Sequence, residues 1–370
     1  MKRRAMFTIC VLITFCAVGQ PIKKTVSPAV MEEIYQEVRT PYKYGLVMVP
    51  DDNDHKMDCP TVFRDGNYWY MTYLIYSGRG YETWLARSKD LLKWENQGKL
   101  LSFGDEGKWD DNQKAGYNAL QSTEWGGKYQ PGRYDGKYWM SYFGGKEKGY
   151  ETEPLSIGMA YTTQKPSVVQ EWTRLAQPVL SAADADVRWW ENRNKLFKST
   201  VIEDPQKLTG HRFVMYYNAV GDSLLNNKKT RWYERIGMAV SDDMLHWKRF
   251  GTNPVVHHPV GITGDGVIQK IRDTWVMFYF GAFWKDRNGA FNSFAASKDL
   301  VNWTDWEGAP LIRSTEKYDE LYAHKSFVIK HKGVVYHFYC AVNKQDQRGI
   351  ALATSKDLGK SSIDFIGGNK

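Results

Sequence analysis

Hydrophobic and aromatic positions along this chain gather in short runs bounded by Gly, Asp and Lys. Five of the runs read as strands: Asn67–Tyr73, Lys137–Phe143, Phe213–Tyr217, Trp275–Phe280 and Val334–Tyr339. Aromatic and β-branched residues between turn formers favour a pleated, half-buried surface. Asp65-Gly66 and Asp135-Gly136 precede the first two runs and Lys332-Gly333 the fifth, which predicts tight hairpins. A small-residue run follows, as in Leu85-Ala86-Arg87, Met238-Ala239-Val240 and Leu352-Ala353-Thr354. Then comes a repeated turn, written Ser88-Lys89-Asp90-Leu91-Leu92-Lys93-Trp94, Ser241-Asp242-Asp243-Met244-Leu245-His246-Trp247 and Ser297-Lys298-Asp299-Leu300-Val301-Asn302-Trp303. A shortened copy, Ser355-Lys356-Asp357-Leu358, lies near the end. The period is roughly 60 to 75 residues, longer than that of the commonest propeller repeats because of insertions. Four antiparallel strands repeated five times predict an all-β, five-bladed β-propeller with a short N-terminal helix. Three matched copies of Ser-x-Asp-[Leu/Met]-x-x-Trp weigh against a two-layer sandwich. The second repeat lacks the turn, and Ile157–Tyr161 with Trp172 stands for its outer strands.

Ahead of the repeats, Lys2-Arg3-Arg4, the apolar stretch to Val18 and Ala17-Val18-Gly19 have the order of a signal peptide over residues 1–19. Residues 20–42 then form a helical extension, with Ser27-Pro28 starting a helix that Pro41 ends. Residues 43–370 hold the propeller, and Gly45–Val49 is expected to close the ring by pairing with the last blade. The apolar run is too short to span a bilayer, and Phe15 before Cys16 argues against a lipid anchor, so export to the periplasm or medium is expected without stable membrane insertion. Cys59 and Cys340 remain in the first and last blades, either paired or as two buried thiols. Aromatic content of 15% supports a packed core. The formal charge of +8 is scattered, which speaks against nucleic acid and is compatible with an anionic ligand.

The stretch Met57-Asp58-Cys59-Pro60-Thr61-Val62-Phe63-Arg64-Asp65-Gly66, together with the Ser-Lys-Asp-Leu-x-x-Trp turns, resembles glycoside hydrolase family 43 and the related families 32, 117 and 130 over residues 44–358. The resemblance implies a glycosidase in which two carboxyl groups act on one sugar, and it implies Asp58 as the base, seven residues before Asp65.

In a propeller the starts of the first strands face the central funnel. Those starts contain Asp58, Gln130, Lys198, Asp265 and His324-Lys325 in successive blades. Asp58 is read as a catalytic carboxylate or a turn cap, and Asp265 between two glycines as its partner or a plain turn residue. Glu124, in the Gly-rich loop Ser122–Gly127, is the next candidate. Gln130 stands near the position where family 43 has a modulating Asp, a departure from that family's pattern. Lys198, Lys325 and His324 form either an anion site or the partners that keep the funnel neutral. Trp125 is a candidate sugar-stacking residue. No metal or cofactor motif is present, although a calcium in the funnel is compatible with the fold. The resulting expectation is an exported, inverting glycoside hydrolase acting on a plant- or algal-type oligosaccharide or polysaccharide, which the lysines allow to be anionic. A phosphate-dependent phosphorylase, a propeller lyase and a non-catalytic glycan-binding propeller stand as alternatives.

Overall fold

The computed structural model describes residues 25–104, 106–221, 233–285 and 287–367; the signal segment predicted for residues 1–19 lies outside them. The described chain is all-β apart from one α-helix, Pro28–Val38, and a 3-10 turn, Lys317–Asp319. Among the described residues the strands make three four-stranded sheets and one nine-stranded sheet. Lys56–Asp65, Tyr68–Tyr76, Tyr81–Ser88 and Glu95–Leu101 form one sheet; Gln113–Asn118, Tyr138–Gly145, Ser156–Thr162 and Thr173–Arg174 form the next. The nine-stranded sheet contains the runs Leu196–Glu203 to Lys248–Arg249 and Ile262–Ile271 to Ile312–Arg313, joined by a single parallel pair, Glu234 with Ile262. The last sheet holds Tyr322–His331, Val334–Val342 and Arg348–Thr354, and it takes its fourth strand, Tyr42–Met48, from the other end of the sequence. This is the closure expected for Gly45–Val49. Each sheet packs on its successor, and the last packs on the first.

The repeated turn is built by its polar residues. Asp90 Oδ1 accepts the N–H groups of Leu92 and Lys93, both at 2.9 Å, and Trp94 Nε1 donates to Leu91 O at 3.2 Å. The same bonds recur through Asp243 and Trp247, and through Asp299 and Trp303. Leu91, Met244 and Leu300 adopt left-handed φ angles of 69°, 64° and 66°, and their side chains are buried. That backbone costs a non-glycine residue ~1–2 kcal/mol. Burial of the side chain and the Asp cap offset it, which is why Asp and a large apolar residue recur together.

The helix starts where Ser27 Oγ accepts from the N–H of Val30 and buries Met31, Ile34 and Val38 against Ile271, Phe278 and Val328. It covers the end of the sheets opposite to the cavity described below. Cys59 and Cys340 are both buried and both free.

One strand departs from the expected register. The first strand of the second sheet is Gln113–Asn118, not the stretch around Lys128–Pro131. Gln113-Lys114-Ala115-Gly116-Tyr117-Asn118 is fully buried, yet its polar and small residues give no strand signal: Gln113 Nε2 donates to Glu147 O and Gly149 O, while Ala115 and Tyr117 pack with Phe143 and Phe197. Asp243→Ala should lower the unfolding free energy by ~1 kcal/mol, the usual worth of such a cap. Urea denaturation measures this, and an unchanged midpoint would contradict the account of the turn.

Candidate active site

Four first strands carry the same irregularity. Their pairing slips between Asp58 and Thr61, Leu196 and Ser199, Gly264 and Val267, and His324 and Phe327. Inside the slips Cys59, Asp265 and Lys325 hold φ angles of 48°, 57° and 55°. A bulge re-aims side chains, and strained backbone of this kind persists where the surroundings over-determine it. Cys59, Lys198, Asp265 and Lys325 all line one cavity of about 350 Å³. One wall is apolar, from Ile262, Phe280, Ala282, Phe283, Ala290 and Tyr322; the other carries Glu151, Lys195, Glu234 and Arg348. The mouth is open, with Phe283 55% and Tyr150 40% exposed, while the floor residues Cys59, Lys198, Asn218 and Asp265 are buried.

The charges are arranged by mutual pairing. Asp58, 1% exposed, lies behind the lining. Its Oδ2 meets Lys325 Nζ at 2.7 Å, Tyr81 Oη at 3.3 Å and Arg348 Nη1 at 3.7 Å. Burial alone would raise this carboxyl, but Lys325 and Arg348 outweigh it and hold it well below the usual carboxylate range. Burial pushes down the other way on Lys325, and Asp58 reverses that, so the ammonium is held well above its ordinary range. Lys325 Nζ also stands 4.0 Å from Glu151 Oε1. Burial raises the Glu151 carboxyl above its ordinary value, against the pull of Lys325. Glu234 has no ammonium at ion-pair distance among the described residues. Burial, then the charges of Glu151 and Asp265, push it up to about 8. His324 is pushed down to about 3 by burial and by Lys325, so it is a neutral imidazole, with Nδ1 3.2 Å from Cys340 O.

The other site residues expected from the sequence fall as follows. Asp265 reaches the cavity floor, where Oδ1 accepts from Asn218 Nδ2 at 2.9 Å and Oδ2 lies 4.0 Å from Lys198 Nζ. The lysines therefore do face Asp58 and Asp265. Glu124, Gln130 and Trp125 are corrected: none lines the cavity. Their loop sits at the far end of the strand Ile262–Ile271, where Thr123 O accepts from Lys270 N–H at 2.7 Å and Trp125 Nε1 donates to Glu37 of the helix at 2.8 Å. Glu124 and Gln130 are exposed there. The cause is the misplaced first strand: with Gln113–Asn118 as that strand, the loop that holds Glu124, Trp125 and Gln130 comes after the strand has already passed the cavity.

Asp58, His324 and Cys340 present ligand atoms within 4.8 Å of one another. Calcium takes six to eight oxygens. This cluster offers one carboxylate, already held by Lys325, so it does not fit calcium.

Glu151 and Glu234 were not among the expected residues, because neither lies at the start of a first strand. A signal was present in the sequence: Gly80-Tyr81-Glu82-Thr83, Gly149-Tyr150-Glu151-Thr152 and Tyr233-Glu234 repeat a Tyr-Glu pair at, or just before, the third strand of three sheets.

No protein-family model matches this sequence, and no curated protein does. Solved structures do. A structure described as a complex of BT0996 with RGII is 53% identical, with a TM-score of 0.88, covering 92% of this chain and 99% of that one. A protein described as a glycoside hydrolase is 52% identical, with the same TM-score and the same coverage. A thermostable family-43 glycoside hydrolase is 15% identical with a TM-score of 0.57, covering 88% of this chain and 98% of that one; at that identity the likeness speaks to the fold alone. Among the described residues no helix is long and apolar enough to cross a membrane.

The raised Glu234 has a consequence for stability. Its folded value of about 8 exceeds the unfolded one, so between roughly pH 4.5 and 8 the folded state binds the extra proton and stability falls as pH rises. Glu234→Gln removes this cost and should be more stable than the wild type at pH 8, by an amount on the order of 1.4 kcal/mol per unit of displacement. Parallel thermal melts at pH 5 and 8 test it; equal differences at both pH values would contradict it.

Proposed function

The protein belongs to the glycoside hydrolases, and we propose that it cleaves a glycosidic bond with Glu234 as the general acid and Glu151 as the partner carboxylate. One observation carries this reading: of the three carboxyl groups that line the cavity, Asp265 is held on the floor by Asn218, Glu151 stands 4.0 Å from the Lys325 ammonium, and Glu234 has no ion pair among the described residues. Pairs of titratable groups whose surroundings push them apart are how acid and base are assigned at neutral pH. Glu234 holds its proton and delivers it to the leaving oxygen. Glu151, 4.0 Å from the Lys325 ammonium, acts on water or the sugar. Asp58 then belongs to the support of Lys325, not to the reacting pair.

The scaffold we infer is a five-bladed propeller. The nine-stranded sheet parts into two groups at its single parallel pair, which with the other three sheets gives five units in closed succession. Inversion is the proposed course, with Glu151 activating a water; a cavity of about 350 Å³ has room for that water beside a sugar. The substrate class is an RGII oligosaccharide, from the relative's description at 53% identity. Action outside the cytoplasm follows from the signal-like first 19 residues.

Incubation with RGII oligosaccharides should release a sugar, and ¹H NMR of the first product should show the inverted anomer. Glu234→Gln and Glu151→Gln should each lower kcat by about 10²–10⁴, the usual contribution of a positioned acid or base. Activity on this substrate should fall above about pH 8, as Glu234 loses its proton. Wild-type rates in either variant would sink the assignment.

A further inference from the structure

The cavity floor holds a buried cation with no hydrogen bond. Lys198 is 3% exposed, and its Nζ has no hydrogen-bond partner among the described residues. Its neighbours are Asp265 Oδ2 at 4.0 Å and the Tyr117 ring, whose centroid is 5.1 Å away. Four ångströms is too long for a hydrogen bond between the two, yet a buried ammonium left unsatisfied is costly. An oxygen placed between them reaches both at ordinary bonding distance. Asp265 is fixed for that task. Its Oδ1 accepts from Asn218 Nδ2 at 2.9 Å, and its own N–H donates to Asn218 Oδ1 at 2.9 Å. Among the described residues only Oδ2 remains free of a strong donor, with the Cys59 thiol 3.6 Å away.

We propose that Lys198 and Asp265 together read one hydroxyl of the sugar bound in the buried part of the cavity, Lys198 donating to the hydroxyl oxygen and Asp265 accepting its proton. A hydroxyl is the group that fits, because it accepts and donates at once. A carboxylate or sulfate would satisfy Lys198 but would meet Asp265 directly, with Glu151 also on the lining. The floor is thus selective for a neutral sugar with a free hydroxyl at one position, in place of the anionic ligand that two buried lysines suggest in the sequence. The proposal rests on the glycosidase reading for the identity of the ligand, although not for which carboxyl group acts as acid.

Binding of RGII oligosaccharides to the Glu234→Gln protein by isothermal titration calorimetry tests it. In that background Lys198→Met and Asp265→Asn should each weaken binding by about 10- to 100-fold, the worth of a hydrogen bond to a charged group. The double variant should bind no more weakly than the poorer single, since both groups hold the same hydroxyl. Tighter binding in Asp265→Asn with weaker binding in Lys198→Met would instead reveal an anion site and overturn the proposal. Unchanged affinity in both singles, with lowered melting temperatures restored in the double, would mean a purely structural pair and overturn it equally. Wild-type turnover in Glu234→Gln would refute the assignment of the acid without touching this result.

Discussion

The site depends on burying Asp58 and Lys325 as a pair. Neither can be placed so far from water alone, and a carboxylate left without its cation in such a position costs several kcal/mol. Lys325 Nζ is 2.7 Å from Asp58 and 4.0 Å from Glu151, so the carboxylate behind the cavity fixes an ammonium that faces into it. Burial raises both cavity glutamates and that fixed charge opposes the rise at each; at Glu234 the charges of Glu151 and Asp265 add to the rise.

The fold supplies the geometry by repetition. The same slip in four first strands turns Cys59, Lys198, Asp265 and Lys325 toward one cavity, and each slip is locked by a hairpin partner that is itself buried. The Tyr42–Met48 strand closes the circuit by pairing with Arg348–Thr354, the strand whose Arg348 Nη1 stands 3.7 Å from Asp58 Oδ2 of the first sheet. Ring closure and charge pairing are therefore one event: opening the circuit would part Asp58 from both of its cations.

Much of this was legible in the sequence. The Ser-x-Asp-Leu-x-x-Trp turn announces itself because its Asp and Trp make local bonds that any copy must repeat. Lys198, Asp265, His324 and Lys325 were legible as cavity residues because their strands keep the repeat register, and their pairing with carboxylates was one of the two readings open for them. Glu151 and Glu234 were not, since they enter the cavity from a loop and from the start of a third strand, outside the first-strand starts that a propeller turns to its funnel. Glu124, Gln130 and Trp125 went astray for the converse reason. A loop rich in Gly and aromatics looks like a site, but this one lies against the helix at the far end of the axis. The strand Gln113–Asn118 was hidden because half of its buried residues are polar, Gln113, Lys114 and Asn118, and hydrophobic patterning does not register a buried polar side chain.

We propose that Glu234 keeps its proton at neutral pH in the cavity that it shares with Glu151. Carbon-13 NMR of protein labelled at the glutamate carboxyl carbons, titrated from pH 3 to 10, reads this directly. The account predicts one carboxyl titrating near pH 8 that vanishes in Glu234→Gln, and a second, assigned through Glu151→Gln, displaced upward from the ordinary glutamate range. If both titrate together near the ordinary value of roughly 4.3 for a glutamate, the site holds no standing acid and the account is wrong.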